Sequence, residues 1–464
     1  MPSNHQTEFI SINNLINNSL KYKAMKKIIL SFLVFISLQA SSQTVYVVTK
    51  NTDPIPFVDY YNFIDSLCDP DMYGTFQWAL RKANDTPGAC EIRFNIPGSG
   101  PHIILLSGYL PGTTKTIYIN GASQPGYQPG NPQIIFDGQE TVFCFLNFYS
   151  TKNVTIEGIY IRNLTTCGIW CYIPDSLTIK NCVINQITNN TSTFGIYFHT
   201  PSYCTLQGNY IGTDNQNASL PIKSYGIAMW FYANHNLIGG TENGQANIIS
   251  NCGTSGIYIG IESSYNHISG NIITNNPKAI LLGQGANQSK QAPVITSATA
   301  DTVSGTSAPG DIIEIFGSTG NENANEYLGT TITDANSDWT INNVQTSFNY
   351  VVATATDIEG NTSIVSLVKS TTIQACKDEV LHYHISGVNT NSPVHITITY
   401  PNDINGLDSA SIQEYPATSI QIDTTNPSIP HTHLMLLILL LRLIIILLQG
   451  VKIFHLQPKI FIIQ

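Results

Sequence analysis

Residues able to do acid–base chemistry are scarce where this sequence is most regular. Between Phe145 and Gly283 the carboxylates are Glu157, Asp175, Asp214, Glu242 and Glu262, and they do not recur at one position of the repeating pattern described below. Hydrolysing a glycosidic bond takes two facing acids, and holding Ca²⁺ takes several converging oxygen ligands. Neither arrangement can be read from these positions. His199, Asp214, Arg162 and Lys223 remain. A histidine or tyrosine base with an arginine neighbour suffices for elimination from a uronate. Each such side chain is more commonly just solvated, so His199, Asp214 and Arg162 are weak catalytic candidates and the catalytic set stays unknown. The sequence holds no CxxC pair, and His382-x-His384 and His431-x-His433 stand alone, so neither a metal nor a cofactor is expected.

Aromatic residues are more informative, because they follow a recurring Gly-Ile. The copies read GIWCY at Gly168, GIYFH at Gly195, GIAMW at Gly226 and GIYIG at Gly256, with a worn AILLG at Ala279. A second pattern interleaves with them: VTIEGIYI from Val154, LTIKNCVI from Leu177, CTLQGNYI from Cys204 and NHISGNII from Asn266. From the Ile of each Gly-Ile to the apolar third residue of the next pattern the interval is 10, 10, 11 and 11 residues. Stepping back the same distance from Ile156 reaches Leu146, so FLNFY (Phe145 to Tyr149) is a disguised earlier copy. The complementary interval varies from 12 to 21 residues. One corner of each repeat is therefore constant while the other accepts loops. Two short strands per repeat, joined by Gly or Asn turns, cannot enclose a core alone but can when stacked.

This spacing predicts an all-β solenoid, a right-handed parallel β-helix. Strand alternation then assigns side chains to faces. Leu146, Ile169, Ile196, Ile227, Ile257 and Ile280 form one inward column; Phe148, Cys171, Phe198, Met229, Ile259 and Leu282 form another. The outward columns are Asn147, Trp170, Tyr197, Ala228, Tyr258, Leu281 and Tyr149, Tyr172, His199, Trp230, Gly260. Tyr149, Trp170, Tyr172, Tyr197, His199, Trp230 and Tyr258 thus make a stepped platform, the expected ligand-binding surface. Such rings suit the apolar faces of sugars, while cross-strand stabilisation, or burial beneath the loop from Gly212 to Tyr225, is the commoner reason for rings so placed. Asn209, Asn247 and Asn271 recur at one turn position, where amides can bond from coil to coil. Glu157 and Lys180 fall at equivalent positions of neighbouring coils, as a surface ion pair.

The segment GTFQWALRKANDTPG…IRFNIPGSGP (Gly74 to Pro101), with INGASQPGYQPG (Ile119 to Gly130) and the repeats, resembles secreted bacterial parallel β-helix repeat proteins of the pectin-lyase-like superfamily. The resemblance spans Gln43 to Gln284, and it implies polysaccharide lyases or glycoside hydrolases among its relatives. No NTD, DD, GHG or RIK set of the polygalacturonase type occurs, so no catalytic residue carries over. Thr75 is placed to cap a helix whose Phe76, Ala79, Leu80 and Ala83 share a face, and such a helix would close the open end of the coil.

The remaining segments follow from composition. Only 11% of residues are charged and the net charge is −10, which argues against nucleic acid. Residues 1–24 read as an over-long start. Residues 25–42 read as a signal peptide, with Met25-Lys26-Lys27, an 11-residue apolar run too short to span a bilayer, and a small-residue cleavage site before Gln43. Residues 43–144 hold the N-terminal cap and first coils, and 145–290 the β-helix. At 291–368 the texture changes to alternating strands and turns, and VVATATDIEGNTS resembles bacterial Ig-like domains. Residues 369–430 are β-like and of unknown role. In 431–464 the run LMLLILLLRLIIILL contains Arg442 and is short for a membrane anchor, so a frame-shifted terminus explains it better and no firm membrane span is expected. Of nine cysteines, Cys144, Cys171, Cys182 and Cys204 fall at interior positions, while Cys68 and Cys90 could pair. The expectation is a secreted or cell-surface protein that binds a polysaccharide or cell-surface glycan, or acts as an adhesin. The alternative is a polysaccharide lyase or glycoside hydrolase. The sequence does not speak to oligomeric state.

Overall fold

The computed structural model describes residues 43–53 and 71–371, apart from 109, 111 and 300. The signal peptide, Cys68, the segment beyond 371 with its His pairs and the apolar tail lie outside the described residues. Two compact units emerge. One comprises the chain up to Lys290 together with Glu359–Ile364, and the other holds Gln291–Ile358 and the chain from Val365. Among the described residues no helix is long and apolar enough to cross a membrane.

The first unit is a parallel β-helix whose coils are built on three sheets. The first sheet has eight strands, from Thr44–Val48 to His267–Ser269. The second has seven, from His102–Leu105 to Ile272–Thr274, and the third has six, from Cys144–Tyr149 to Ile280–Leu282. All neighbours within them are parallel. The third residue of each VTIEGIYI-type pattern stacks on the next, Ile119 on Ile156, Ile179, Leu206, Ile238 and Ile268. Each such pattern contains two strands rather than one, which corrects the expected two strands per repeat to three. A left-handed residue turns the chain between them: Gly158 at φ 66°, Asn181 at 54° and Gly208 at 67°. One residue in that region is enough for a corner, and a single residue leaves no loop for sequence reading to detect.

Both inward columns form as predicted. Leu146, Ile169, Ile196, Ile227, Ile257 and Ile280 pair in register and are buried. Phe148, Cys171, Phe198, Met229 and Ile259 are buried beside them, while Leu282 is half-buried because it stands on the last strand of its sheet. The Gly of Gly-Ile now has a reason. A Cβ on Gly195 would sit 2.6 Å from the Gly226 carbonyl oxygen and 2.9 Å from Ile211 Cγ2, and on Gly168 2.4 Å and 2.6 Å from the corresponding Gly195 and Ile184 atoms. The third sheet approaches the second too closely here for any side chain.

The helix Phe76–Asp85 begins where predicted, with the Thr75 hydroxyl accepting from the Trp78 amide at 3.2 Å. Phe76, Ala79, Leu80 and Ala83 are buried. The Phe76 ring lies 4.8 Å from Phe136 and 5.9 Å from both Phe94 and Phe145. Phe145 occupies the position that is Gly168 one coil later, so the first coil of the third sheet is filled by rings where later coils close on glycine.

Asparagine ladders satisfy buried backbone at two corners. Asn209 Nδ2 donates to Asn247 Oδ1 at 2.9 Å, and Asn247 Nδ2 to Asn271 Oδ1 at 2.8 Å. A second ladder runs Asn236, Asn266, Asn287, with bonds of 2.7 and 3.0 Å. It continues into Glu359–Ile364, where Asn287 Nδ2 donates to the Thr362 carbonyl and the Thr362 hydroxyl accepts from the Ile268 amide, both at 2.9 Å. Asn361 Oδ1 likewise accepts from the Tyr265 amide. These bonds occupy backbone groups that the last strand of the first sheet would otherwise leave open.

The second unit has two antiparallel sheets. One holds Val294–Ala298, Thr302–Thr306 and Asp338–Asn342; the other holds Glu326–Ile332, Ile312–Ser318, Tyr350–Thr356 and Lys369–Ser370. They enclose one core around Trp339, with Val303, Ile313, Ile315, Val351 and Ala353.

Candidate functional site

The outward side of the third sheet carries the predicted columns. Trp170, Tyr197, Ala228, Tyr258 and Leu281 are Cα partners in succession, as are Tyr149, Tyr172, His199 and Trp230. The rings contact one another along each column. Trp170 is 4.3 Å from Tyr197, Tyr149 is 5.8 Å from Tyr172 and Tyr172 is 5.4 Å from His199, while Trp230 reaches across to Tyr258 of the other column at 4.8 Å.

A third column was not anticipated. Cys144, Cys167, Phe194 and Tyr225 are partners in register and pack with Trp170, Tyr197, Trp230 and Tyr258 in one cluster. The Phe194 and Tyr225 rings are stacked, 5.6 Å apart and 7° from parallel, and each stands edge-on to Trp230. The missed signal was the residue just before each Gly-Ile. Strict alternation through the glycine places it inward, but the ladder skips the glycine, and the preceding side chain joins the outward cluster. Cys144 is buried as expected, in this cluster.

The columns differ in exposure. Tyr149 is 64% exposed, Phe194 is buried, and Trp170, Tyr172, Tyr197, His199, Trp230 and Tyr258 are half-buried. Trp170 lies between Tyr197 and Phe143, whose ring is 5.4 Å away, and its indole Nε1 is buried without a hydrogen-bond partner. Trp170 therefore serves mainly to hold neighbouring coils together, and Tyr149 is the exposed member of the set. The loop after Gly212 bonds back to the backbone of Gln186, Ile187 and Asn251 along the neighbouring corner and leaves these rings partly open. Burial pushes the Tyr197 hydroxyl up to about 12, so it stays a neutral donor.

The catalytic candidates are not brought together. His199 Nδ1 is 2.9 Å from the Thr200 hydroxyl, within the aromatic face. Asp214 accepts from the amides of Gln216 and Ala218 and shapes its own loop. Arg162 belongs to the second sheet, where its Nε donates to Asp137 Oδ2 at 2.8 Å and Asn163 binds the same carboxylate. Lys223 is exposed, two residues before Tyr225. Among the described residues no cluster of three or more His, Cys, Asp or Glu side chains is placed to hold a metal. The thiols of Cys144, Cys182 and Cys204 are pushed up to about 12 by burial and are inert as nucleophiles.

On the first sheet the predicted Glu157–Lys180 pair forms at 3.0 Å. It belongs to a larger network, with Tyr118 donating to Glu157 and Asn181 at 3.3 Å from it, while Glu91 holds Arg93 at 2.8 Å and Asn120 at 2.7 Å. The Arg93 and Asn120 bonds draw the Glu91 carboxyl below its ordinary value against its burial. At the corner between the third and first sheets, Tyr203, His235 and Tyr265 stack at 5.0 and 4.7 Å, nearly parallel. All three adopt left-handed backbone, at φ between 55° and 61°, outside any strand periodicity.

The chain matches no family model and no curated protein. Among solved structures it matches the crystal structure of the enzymatically active domain of tailspike protein 2 of bacteriophage CBA120. The identity is 9% and the TM-score 0.20, over 62% of this chain and 67% of that one.

Proposed function

We propose that this is a secreted or cell-surface protein whose aromatic face binds carbohydrate, in the manner of an adhesin or glycan-binding scaffold. The observation that carries this reading is the contiguous set of exposed and half-buried rings across five neighbouring strands of one sheet, from Tyr149 to Tyr258. Large apolar patches on a soluble surface are uncommon without a ligand, and sugars offer C–H faces to rings and hydroxyls to tyrosine edges. The coil would be right-handed, as parallel crossovers are, and of the pectin-lyase-like kind, with Phe76–Asp85 as its N-terminal cap and the second unit as an Ig-like spacer. Export would use residues 25–42.

The test is a glycan array on the wild type and on the Tyr149→Ala/Tyr172→Ala double variant, run beside reducing-end and unsaturated-product assays. Binding without turnover, lost in the double variant at an unchanged unfolding midpoint, is expected. Binding untouched by this change and by Trp230→Ala would leave the face purely structural. Turnover abolished by replacing His199 or Asp214 would make the protein a lyase or hydrolase.

A further inference from the structure

Charge around the aromatic face narrows its ligand. The ring columns contain neither Lys nor Arg, and His199 is their one basic side chain. At the rim, Lys152 is paired with Asp175 at 3.3 Å, and Glu262 lies near Tyr232. Lys223 stands exposed on the opposite border. Lys278, in register with Tyr225 two strands further on, is exposed on that border too. Arg162, the cation nearest in sequence to the Trp170 strand, is held by Asp137 on another sheet.

A uronate polymer presents carboxylates along its length. Laid against these columns, it would desolvate them against rings with no guanidinium or ammonium at each step. A neutral polymer incurs none of this. Its hydroxyl or acetamido groups can exchange hydrogen bonds with tyrosine edges and with His199, and its C–H faces can pack on the rings. Resting on the reading of this face as a carbohydrate site, we infer that its ligand is a neutral glycan of hexose or N-acetylhexosamine units, not a uronate. Its recognition is by ring contact and neutral hydrogen bonds, so it is insensitive to salt, whereas ion-pair recognition weakens as salt screens it.

The experiment titrates the full chain with soluble probes of matched length: β-glucan, galactomannan and N-acetylglucosamine oligomers against oligogalacturonate and alginate oligomers, at low and high salt. At least one neutral probe should bind tenfold or more tighter than either uronate, with an affinity unchanged between the two salt conditions. Tighter uronate binding that weakens with salt, or that disappears in Lys223→Ala, would overturn the inference while leaving the face a carbohydrate site. Failure of every probe to bind would remove the carbohydrate reading itself, and the inference with it.

Discussion

Replacing Gly195 by alanine should destabilise the β-helix, although one methyl group is the smallest side chain available. The added Cβ would lie 2.6 Å from the Gly226 carbonyl oxygen, 2.9 Å from Ile211 Cγ2 and 3.0 Å from Ile222 Cδ1. The first contact is with backbone of the next coil, so relief requires neighbouring coils to part by several tenths of an ångström, lengthening the ladder around Ile196 and Ile227. Overpacking of this kind costs about 1–3 kcal/mol, and weakening one or two ladder bonds adds about 1 kcal/mol. Against this, alanine lowers the entropy of the unfolded chain, worth about 0.4–1 kcal/mol. The net expectation is a loss of about 2 kcal/mol, read as a lower urea midpoint by far-UV circular dichroism. Ala279 supplies the internal comparison: it occupies the equivalent position just before the last strand of the sheet and is buried there without a further strand above it. Ala279→Gly should therefore gain nothing. An unchanged or raised midpoint for Gly195→Ala would refute the explanation of the Gly-Ile repeat by close approach of the sheets.

Three further outcomes follow from the same geometry. Asn247→Ala removes the acceptor for the Asn209 amide and side chain and the donor to the Leu206 carbonyl, at 2.8–3.0 Å, leaving buried groups unsatisfied; a loss of about 3 kcal/mol in urea unfolding is expected. Trp170→Ala should cost about 2–3 kcal/mol, since it is sandwiched, whereas Tyr149→Ala should stay within about 0.5 kcal/mol of wild type; parallel unfolding curves decide this. Burial lowers the pKa of His267 below its ordinary 6.5, so the folded state favours the neutral ring: stability is full above that value and falls as pH drops through it toward the folded pKa, and His267→Gln should flatten the fall between pH 7 and 5.

The coil was legible because its period is enforced at every turn by the same columns, and inward Ile must recur where the third sheet meets the core. The Asn209–Asn247–Asn271 ladder was legible for the same reason. What stayed hidden breaks periodicity. Gly158 and Asn181 make a corner from one left-handed residue, so two strands read as one. Phe194 and Tyr225 were hidden because the ladder skips the following glycine and reverses the face that alternation assigns. The stacked Tyr203, His235 and Tyr265 sit at turns, where neither strand nor helix spacing applies. Asn361 and Thr362 reach the β-helix from nearly a hundred residues away in the chain, a pairing that no local pattern encodes.

These hidden features change how the aromatic face is understood. Strand alternation alone made it a uniform row of rings, each equally fit to meet a ligand. With the third column present, Phe194 and Tyr225 stand edge-on to Trp230, Phe194 also to Trp170, and the first column becomes a mortar between coils. Rigidity gained in this way favours binding, because rings already fixed by their neighbours lose little rotamer freedom when a ligand arrives. On the proposed reading, the column from Tyr149 through His199 would be the contact edge, held in place by rings that a ligand need not touch. Packing is thus concentrated in the columns of Trp170 and Phe194, and recognition, if carbohydrate binds as proposed, would fall to the neighbouring column that begins with the exposed Tyr149.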